Sequence, residues 1–446
     1  MKKIYYLMKF ILKSPLRIGN GMHELSDSDL MLDGRRLPFI PGSSLAGIIR
    51  HRSEQICDDE SVMDRLFGVI KESDESKKEI VIMPSAVMIG DAVIRNDAAA
   101  ENVYISGRDG VGLSEWETAQ KGAKFDFQIA ETDQEFCSVV EWTGNDDQET
   151  AEITKVLEPV LKSFIATGMS AGARTSRGYG KFAVDIVKKT FLFPDDLDDW
   201  IKFDAYAEDS FKQGTELEGK QLKTESVIRI AFRMKSTFSV RVRTARVEVM
   251  DDGSRPDAVP LKDFKGNPVI PGTAWAGVFR HHMHHLLRDT GVEELSHEMN
   301  AVDRIFGMSN KKGEMFKSLI NFSETAICIE DEKKQRLTIM RTAIDRFTAS
   351  PRNGALYTNM VYSGGKGELI IEFRTDELTS GQKALLAACI CDMHTGLLTV
   401  GGQSSVGSGL MQIEKLSVNG ADRTADMEAS VNDGAPLNWL EVTENE

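Results

Sequence analysis

The sequence is poor in cysteine and has no long apolar segment, and both absences restrict what it can encode. The five cysteines are an odd number and scattered, which indicates reduced, packed thiols in a cytoplasmic protein, not a disulfide framework or a zinc knuckle. No run of about 18 apolar residues occurs, so no transmembrane helix is predicted. The chain also lacks a Walker loop, a dinucleotide-binding fingerprint, an HExxH motif and a nucleophile elbow.

The chain also lacks a net positive charge, because 69 acidic residues outnumber 54 lysines and arginines. The formal net charge of −15 at pH 7 by itself argues against nucleic-acid binding. The negative charge is concentrated in two segments. Residues 190–225 hold ten acidic residues and four lysines, and residues 421–446 hold seven acidic residues and one arginine, so each segment contributes −6. The rest of the chain is close to neutral and is compatible with a basic groove.

The length and composition predict a folded protein of more than one domain. The chain has 446 residues, of which 41% are apolar and 28% charged, and a single core stops growing well before this size. The first 15 residues superficially resemble a signal peptide. Lys9 and Lys13 interrupt their apolar stretch, however, and no small-residue cleavage site follows, so a first β-strand is favoured.

One segment of the chain occurs twice, 230 residues apart. Residues 27–51 and 257–281 agree without a gap at ten of 25 positions, and both place Ile-Pro-Gly before an apolar helical run that ends in arginine. Two further landmarks follow in the same order, namely VMDRLFG (62–68) with AVDRIFG (301–307), and GARTSRGYGKF (172–182) with GQSSVGSGLM (402–411). This pattern predicts an internal duplication.

The pattern of apolar residues predicts an α+β fold with the order β-α-β-β-α-β in each half, which is a ferredoxin-like plan. The two domains are predicted at 1–187 and 226–420. Between them, 188–225 is expected to be an acidic connector of a helix and a loop, and 421–446 an acidic flexible tail.

Two kinds of loop favour phosphate binding. The Pro-Gly segments place Ser43, Ser44 and Thr273 at helix starts, where free N–H groups and the helix dipole favour an anion, although ordinary capping by these hydroxyls is the alternative. The first glycine-rich loop surrounds Tyr179 with basic residues, and its counterpart keeps glycines and hydroxyls without arginine. A plain helix end followed by a turn is the alternative there.

Basic and aromatic residues alternate in one insertion of each half. Residues 340–362 contain Phe347 and Tyr357 among three arginines, and 105–125 contain Trp116 among one arginine and two lysines. Such residues on a protruding hairpin suit a single-stranded nucleic acid, and a merely solvated hairpin is the alternative. The basic residues are Arg341, Arg346 and Arg352 in the second insertion, and Arg108, Lys121 and Lys124 in the first.

The register of the repeat selects Asp27 and Asp257 as candidates for chemistry. A loop carboxylate can position a hydroxyl, hold a divalent ion or act as a general acid or base, although loop aspartates often only cap turns. The nearby Asp29, Asp251 and Asp252 are not matched across the repeat. In the stretch HHMHH (281–285), the spacing of the outer histidines allows a metal clamp, but a helix that lines the groove is the favoured interpretation.

Taken in order, these features resemble the RAMP (repeat-associated mysterious protein) superfamily, and more narrowly the backbone subunits of type III CRISPR–Cas effector complexes. The tandem arrangement is similar to that of type III-D-like systems. The resemblance implies two RRM-like units with thumb hairpins, bound to guide RNA beside other effector subunits in the cytoplasm. It further implies cleavage of target RNA at two sites that requires Mg²⁺ or Mn²⁺. The implied RNA-binding residues are Ser43, Ser44, Arg50, Thr273, Arg280, Arg174, Arg177, Lys181, Ser404, Ser405, Arg341, Arg346 and Phe347.

The same resemblance implies that Asp27 and Asp257 are catalytic, each followed six residues later by a second aspartate, Asp33 or Asp263. The implied reaction is attack of the 2′-hydroxyl of the target on the adjacent phosphate, with metal bound by these loops and RNA phosphate. Two other functions remain open. One is an RNA-binding scaffold without cleavage, and the other is a guide-precursor processing ribonuclease that uses His23 or His51.

Overall fold

The structure of the chain, a computed structural model, describes residues 1–21, 26–73, 79–95, 103–113, 119–144, 147–220, 222, 225–242, 256–289, 301–309, 315–374 and 377–441. It consists of two compact units. The first comprises Met1–Arg108, Phe127–Thr175 and Tyr179–Leu222, and the second comprises Asp109–Asp126, Ser176–Gly178 and Lys223–Glu446. Within the described residues, no helix is long and apolar enough to cross a membrane.

The first half of the chain mixes strands with helices. Its helices are α1 (Gly42–Ser53), α2 (Glu60–Phe67), α3 (Asp147–Thr167) and α4 (Leu197–Lys202). Its strands are β1 (Lys2–Leu12), β2 (Val69–Ser73), β3 (Glu79–Met83), β4 (Val87–Ile89), β5 (Ile105–Leu113), β6 (Ala119–Ala130), β7 (Glu135–Gly144), β8 (Met169–Ser170), β9 (Lys181–Leu192) and β10 (Thr215–Glu216).

The main sheet of the first unit has the order β10-β9-β1-β7-β4, and β8 also pairs with β9. Side chains alternate between the two faces of a strand, and both faces of β1 are apolar. Tyr6, Met8 and Phe10 face a core that is completed by residues of α1 and α3. Tyr5 and Leu7 face a second, smaller core on the other side of the sheet.

The acidic connector forms this smaller core. Trp200, Phe203 and Phe211 pack against the sheet, and the ring of Phe203 lies 4.9 Å from that of Tyr5. The indole N–H of Trp200 donates a hydrogen bond to the hydroxyl of Tyr5 at 3.0 Å. Although the segment is rich in acidic residues, its aromatic residues attach it to the first unit.

The second half contains a similar series of elements. Its helices are α5 (Gly272–Asp289), α6 (Ala301–Phe306), α7 (Glu332–Gln335), α8 (Ser380–Thr395) and α9 (Thr424–Asp433). Its strands are β11 (Glu225–Met234), β12 (Thr237–Phe238), β13 (Arg241–Val242), β14 (Val259–Pro260), β15 (Val269–Ile270), β16 (Met308–Ser309), β17 (Met315–Phe316), β18 (Ile320–Phe322), β19 (Thr325–Ala326), β20 (Arg336–Ile344), β21 (Pro351–Ser363), β22 (Lys366–Arg374), β23 (Met411–Val418) and β24 (Ala421–Asp422).

The main sheet of the second unit has the order β18-β22-β11-β23-β24 and differs from the first in its outer face. Ile228, Ile230 and Phe232 of β11 are buried in the core with residues of α5 and α8. The alternate residues Arg229 and Arg233 are exposed and pair across the strands with Glu368 and Glu414. The outer face of this sheet is therefore charged.

The prediction of a mixed α+β fold is confirmed, but the prediction of a flexible tail from residue 421 was wrong for the described residues. β24 and α9 occupy this segment, and Met427, Trp439 and Leu440 are buried in the second core. Their burial removes apolar surface from water and so stabilises an ordered C-terminal segment in spite of its seven acids.

Two smaller expectations also differ from the structure. The apolar pattern over 124–142 predicts a single strand, but the structure has two, β6 and β7, separated by a turn in which Asp133 has φ 64°. The five thiols are free, as expected, but Cys328 is exposed rather than packed.

Candidate nucleic-acid interface and catalytic loops

Both loop aspartates selected by the repeat are exposed, and the structure places them at equivalent positions. In the first unit, the N–H of Gln128 in β6 donates to the carbonyl of Ser28 at 3.1 Å. In the second unit, the N–H of Met360 in β21 donates to the carbonyl of Ala258 at 3.0 Å. The residue after each aspartate is thus bound to the returning strand of the hairpin, so each carboxylate lies at a hairpin base.

The second aspartate is attached directly to its hairpin. The N–H of Thr358 donates to Oδ2 of Asp257 at 2.7 Å, and the N–H of Asp257 donates to the carbonyl of Thr358 at 2.8 Å. These two bonds orient the carboxylate while the residue stays exposed. An oriented, solvent-accessible carboxylate can accept a proton or contribute an oxygen ligand to a hard cation.

The competing aspartate of the first loop has a structural role. Asp29 is buried, and its Oδ1 accepts hydrogen bonds from both the N–H and the hydroxyl of Ser26 at 2.9 Å. These bonds close the bend around Asp27. Asp251 and Asp252 lie outside the described residues, as does His23.

The second aspartate of each D-x5-D pattern also builds a turn. Oδ1 of Asp33 accepts the N–H groups of Arg35 and Leu37 at 2.8 and 2.9 Å, and Oδ1 of Asp263 accepts that of Asn267 at 2.8 Å. Burial opposes ionisation of Asp33, but the bonds from Leu37 and Arg35 outweigh it and lower the pKa of Asp33. The aspartates that follow the candidates therefore stabilise the loops.

The start of α1 is capped by a carboxylate from elsewhere in the chain. The N–H of Gly42 donates to Oδ1 of Asp91 at 2.7 Å. The residue at the cap position is Pro41, so the helix has no side-chain cap from its own start, and the expected capping by Ser43 or Ser44 is not seen. A fixed negative charge at this N–H disfavours phosphate there. Ser43 is exposed and Ser44 is half-buried. The contact of these two serines with RNA stays a prediction.

The two glycine-rich loops have the same backbone, with a register one residue different from that expected. Arg174 and Gln403 both have positive φ, 63° and 70°. Each is followed by a 3-10 turn, Thr175–Arg177 or Ser404–Val406. The constant offset is 229 residues, so Gln403 replaces Arg174 and Val406 replaces Arg177 in the second loop.

The first loop belongs to a cluster of arginines and aromatic rings. The guanidinium carbons of Arg17 and Arg174 lie 4.4 and 4.8 Å from the ring centroid of Phe127. That of Arg108 lies 5.8 Å from the centroid of Tyr179, whose ring meets Phe127 edge to face. We call these five residues the arginine cluster. Tyr179 is buried in it and does not offer the open stacking face that the sequence suggested.

Two members of the cluster, Phe127 and Arg17, were not predicted from the sequence. Burial lowers the pKa of the Arg17 guanidinium from the usual value, while Tyr179 acts in the opposite direction. The backbone identifies its counterpart, because Ala173 N–H donates to the carbonyl of Arg17 and Gly402 N–H donates to that of Ser239. The second unit therefore has serine and glutamine where the first has two arginines.

The remaining basic candidates differ in their exposure, and two of them form ion pairs with acidic residues. Arg50 donates to Glu54 at 3.2 Å, and Arg280 donates to Asp303 at 2.6 Å, which favours a structural role for both. Arg177 is exposed, and Lys181 is half-buried. The other predicted contacts are Thr273, which is half-buried, and Ser404 and Ser405, which are exposed.

The second hairpin, β20–β21, exposes large apolar side chains at and near its tip. Phe347 is 88% exposed, Leu356 67% and Ile344 60%. Asp345 orders the turn by accepting the N–H groups of Phe347 and Thr348 at 3.0 Å, which lowers the pKa of its carboxyl. Arg346 is exposed beside this tip, whereas Arg341 is half-buried.

The first hairpin, β5–β6, is less completely described, because Trp116 lies outside the described residues. Lys121 is exposed, and Lys124 pairs with Asp109 at 3.1 Å. Arg108 does not protrude as expected but is buried in the arginine cluster.

Within the described residues, only one group of three or more side chains has the spacing of a metal site, and its chemistry argues against a metal. Glu135, Cys137 and Glu208 form it, but Oε2 of Glu208 pairs with the ammonium of Lys9 at 2.5 Å. Burial, followed by the charge of Glu208, raises the pKa of Cys137 to about 12, so the thiol stays protonated. The candidate loop aspartates offer oxygen ligands, which suit Mg²⁺ or Mn²⁺.

Comparison with known proteins identifies the family of the chain. No curated protein matches it. The model of the RAMP superfamily matches twice, over residues 9–183 and 239–412, and these regions contain the two loop aspartates, both hairpins and both glycine-rich loops. The two matches together span most of the sequence, which is consistent with a tandem of two units. The chain belongs to the RAMP superfamily.

Proposed function

We propose that this protein is a guide-RNA-binding backbone subunit of a type III CRISPR–Cas effector complex, with two tandem units of the type III-D-like kind, and that it cuts target RNA at two sites. The observation that carries the proposal is the equivalence of Asp27 and Asp257, each exposed at the base of a hairpin. Membership of the RAMP superfamily indicates a CRISPR-associated RNA-binding subunit, and this geometry supports the catalytic part.

We also propose that each unit is a ferredoxin-like, RRM-like domain with an inserted thumb. The strand orders β9-β1-β7-β4 and β23-β11-β22-β18 support this, because both place the fourth strand beside the first and the third beside the second. The hairpins are inserted between the second and third strands of this plan. Two units of one design provide two positions for RNA.

In the proposed reaction, the 2′-hydroxyl oxygen of the target attacks the adjacent phosphorus and the bond to the 5′-oxygen breaks. The loop carboxylate accepts the proton of the 2′-hydroxyl, and the departing oxygen takes one from water. The products are a 2′,3′-cyclic phosphate and a 5′-hydroxyl end. Asp27 and Asp257 would hold Mg²⁺ or Mn²⁺, which supplies charge stabilisation at the phosphate when bound.

RNA is held, in this proposal, by charge in the first unit and by stacking in the second. The arginine cluster concentrates two half-buried guanidinium groups around Phe127, and arginine binds phosphate oxygens through paired N–H groups. The apolar tip of the second hairpin offers Phe347 to unstacked bases, with Arg346 available for the backbone.

Exchanging residues of the arginine cluster between the two units is expected to change how steeply the affinity for guide RNA falls with salt. Arg17→Ser with Arg174→Gln gives the first unit the residues of the second. The slope of log affinity against log salt should become shallower by roughly 0.7 for each phosphate that the variant no longer binds. Gln403→Arg should make the slope steeper. Fluorescence anisotropy with a labelled guide RNA at several salt concentrations measures both.

Arg229→Gln is the control, since Arg229 lies on the charged sheet face and pairs with Glu368. It removes the same charge as Arg174→Gln and should leave the slope unchanged. If the change in slope per removed charge is the same for the cluster variant and for this control, the effect is one of net charge and the cluster does not bind phosphate.

The two alternative functions make different predictions for the assembled complex. A scaffold would bind target RNA without cutting it through either loop. A guide-precursor processing ribonuclease would need a histidine. His51 is exposed on α1, 3.8 Å from Glu54. Cleavage of target RNA by complexes that carry one loop variant at a time tests the catalytic proposal, and cleavage of precursor that is lost in His51→Ala would favour the processing enzyme.

A further inference from the structure

The stretch HHMHH lies in the middle of α5, and the fold separates its four histidines into two kinds. Met283 is fully buried in the second core. His281 and His285 are two residues before and two after it, so at 3.6 residues per turn they share a face of the helix roughly opposite Met283. His282 and His284 lie on the flanks.

The flanking histidines are bound to carboxylates of neighbouring helices. Nε2 of His282 lies 2.7 Å from Oδ2 of Asp392 in α8, and Nε2 of His284 lies 3.9 Å from Oδ1 of Asp303 in α6. These contacts fix the rotation of α5 about its axis. The outer pair is held on the opposite side of the helix from the core.

The ring nitrogens of the outer pair lie within hydrogen-bond distance of each other. Nε2 of His281 and Nε2 of His285 are 2.8 Å apart, with ring centroids 4.4 Å apart and planes inclined by 71°. Both side chains are half-buried, so the pair is accessible to solvent. We propose that His281 and His285 form a binding site for a borderline transition-metal dication such as Zn²⁺, Ni²⁺ or Cu²⁺.

The geometry needs little adjustment to admit such an ion. Bonds from zinc to imidazole nitrogen measure about 2.0–2.1 Å, so two ligands in tetrahedral geometry lie about 3.3 Å apart. Each ring would move outward by only a few tenths of an ångström from the separation of 2.8 Å. Water would complete the coordination, and the ion would connect successive turns of α5.

The chemistry of this site differs from that of the loop aspartates. Imidazole nitrogens favour zinc, nickel and copper, whereas magnesium and manganese favour oxygen ligands. The proposed site therefore does not depend on RNA cleavage. Loss of the histidine site would be seen in metal titration, whereas loss of the aspartate loops would be seen in cleavage of target RNA.

The first unit contains a natural control for this site. His51 is the counterpart of His281 in the repeat, but the position one turn later is Gln55 and α1 ends at Ser53. A single imidazole lacks the second ligand, and a second linked ligand raises affinity by about 100-fold or more. His51 is therefore not expected to bind the ion measurably.

The test is calorimetric titration of the full chain, purified without a histidine tag, with zinc chloride. One equivalent should bind, and either His281→Gln or His285→Gln should weaken binding by about 100-fold. His51→Gln should bind zinc like the original protein. The melting temperature of each variant without metal shows whether it is folded.

A second measurement uses the unaltered chain and so does not depend on a variant folding. With one equivalent of Cu²⁺, electron paramagnetic resonance should show coupling to two imidazole nitrogens. A spectrum with none, or zinc binding that persists in the double variant His281→Gln/His285→Gln, would overturn the proposal and assign the ion to another group.

Discussion

Asp27→Asn and Asp257→Asn should each remove one of the two cuts in target RNA. The rate of cleavage at the affected site should fall by at least about 100-fold. Asparagine has the shape of aspartate, and its amide oxygen can still accept the hydrogen bond from Thr358 that orients Asp257. It has no negative charge, accepts no proton from a hydroxyl and is a poor ligand for Mg²⁺. The substitution therefore separates chemistry from loop structure.

The measurement is gel analysis of target fragments from the assembled complex, with fragment ends tested for a cyclic phosphate and a free 5′-hydroxyl. A 2′-deoxy nucleotide at one cut site should protect that site alone. Asp33→Asn and Asp263→Asn are matched controls, because these aspartates accept backbone N–H groups within turns. They should lower stability and leave both cuts in place in the folded complex.

The possible results differ clearly. Loss of a distinct cut in each single variant, and of both in the double variant, supports two independent sites. Unchanged cutting in both single variants would refute catalysis by these loops and favour the scaffold. Loss of a cut in only one variant would restrict catalysis to that unit and contradict the proposal of two sites.

The sequence could identify the loop aspartates because a duplication marks exposed residues as well as buried ones. An exposed loop residue has no hydrophobic pattern, and only the shared register distinguished Asp27 from Asp29. The same register could not find Arg17. Its counterpart Ser239 is 222 residues later, whereas Asp27 and Asp257 are 230 apart, so the second copy has eight more residues in this loop.

Other features were hidden because they depend on contacts between distant segments. The cap of α1 comes from Asp91, 49 residues after Gly42, and local capping rules consider only neighbouring residues. The acidic tail was judged by its charge, although Met427, Trp439 and Leu440 carry enough apolar surface to hold it on the second core. Average composition concealed these three side chains.

The glycine-rich loop of the second unit should tolerate alanine at Gly407 far better than at Gly409. Both glycines have φ 82°, so each substitution costs about 1–2 kcal/mol for the left-handed backbone. A Cβ at Gly407 would meet nothing within 4 Å, whereas at Gly409 it would lie closer than 3.0 Å to both the carbonyl oxygen and the nitrogen of Val400. We expect Gly409→Ala to be destabilised by at least about 3 kcal/mol more than Gly407→Ala.

The backbone at Gly409 cannot move aside to relieve this overlap. Its N–H donates to the carbonyl of Thr237 at 2.8 Å, and its carbonyl accepts the N–H of Val400 at 3.2 Å, so a shift would break bonds that join β12 to the loop. Urea unfolding followed by the fluorescence of buried tryptophans, including Trp275, measures the difference. Equal stability of the two variants would mean that the close approach to Val400 does not hold this loop. Its shared backbone with the first unit would then need an explanation other than packing.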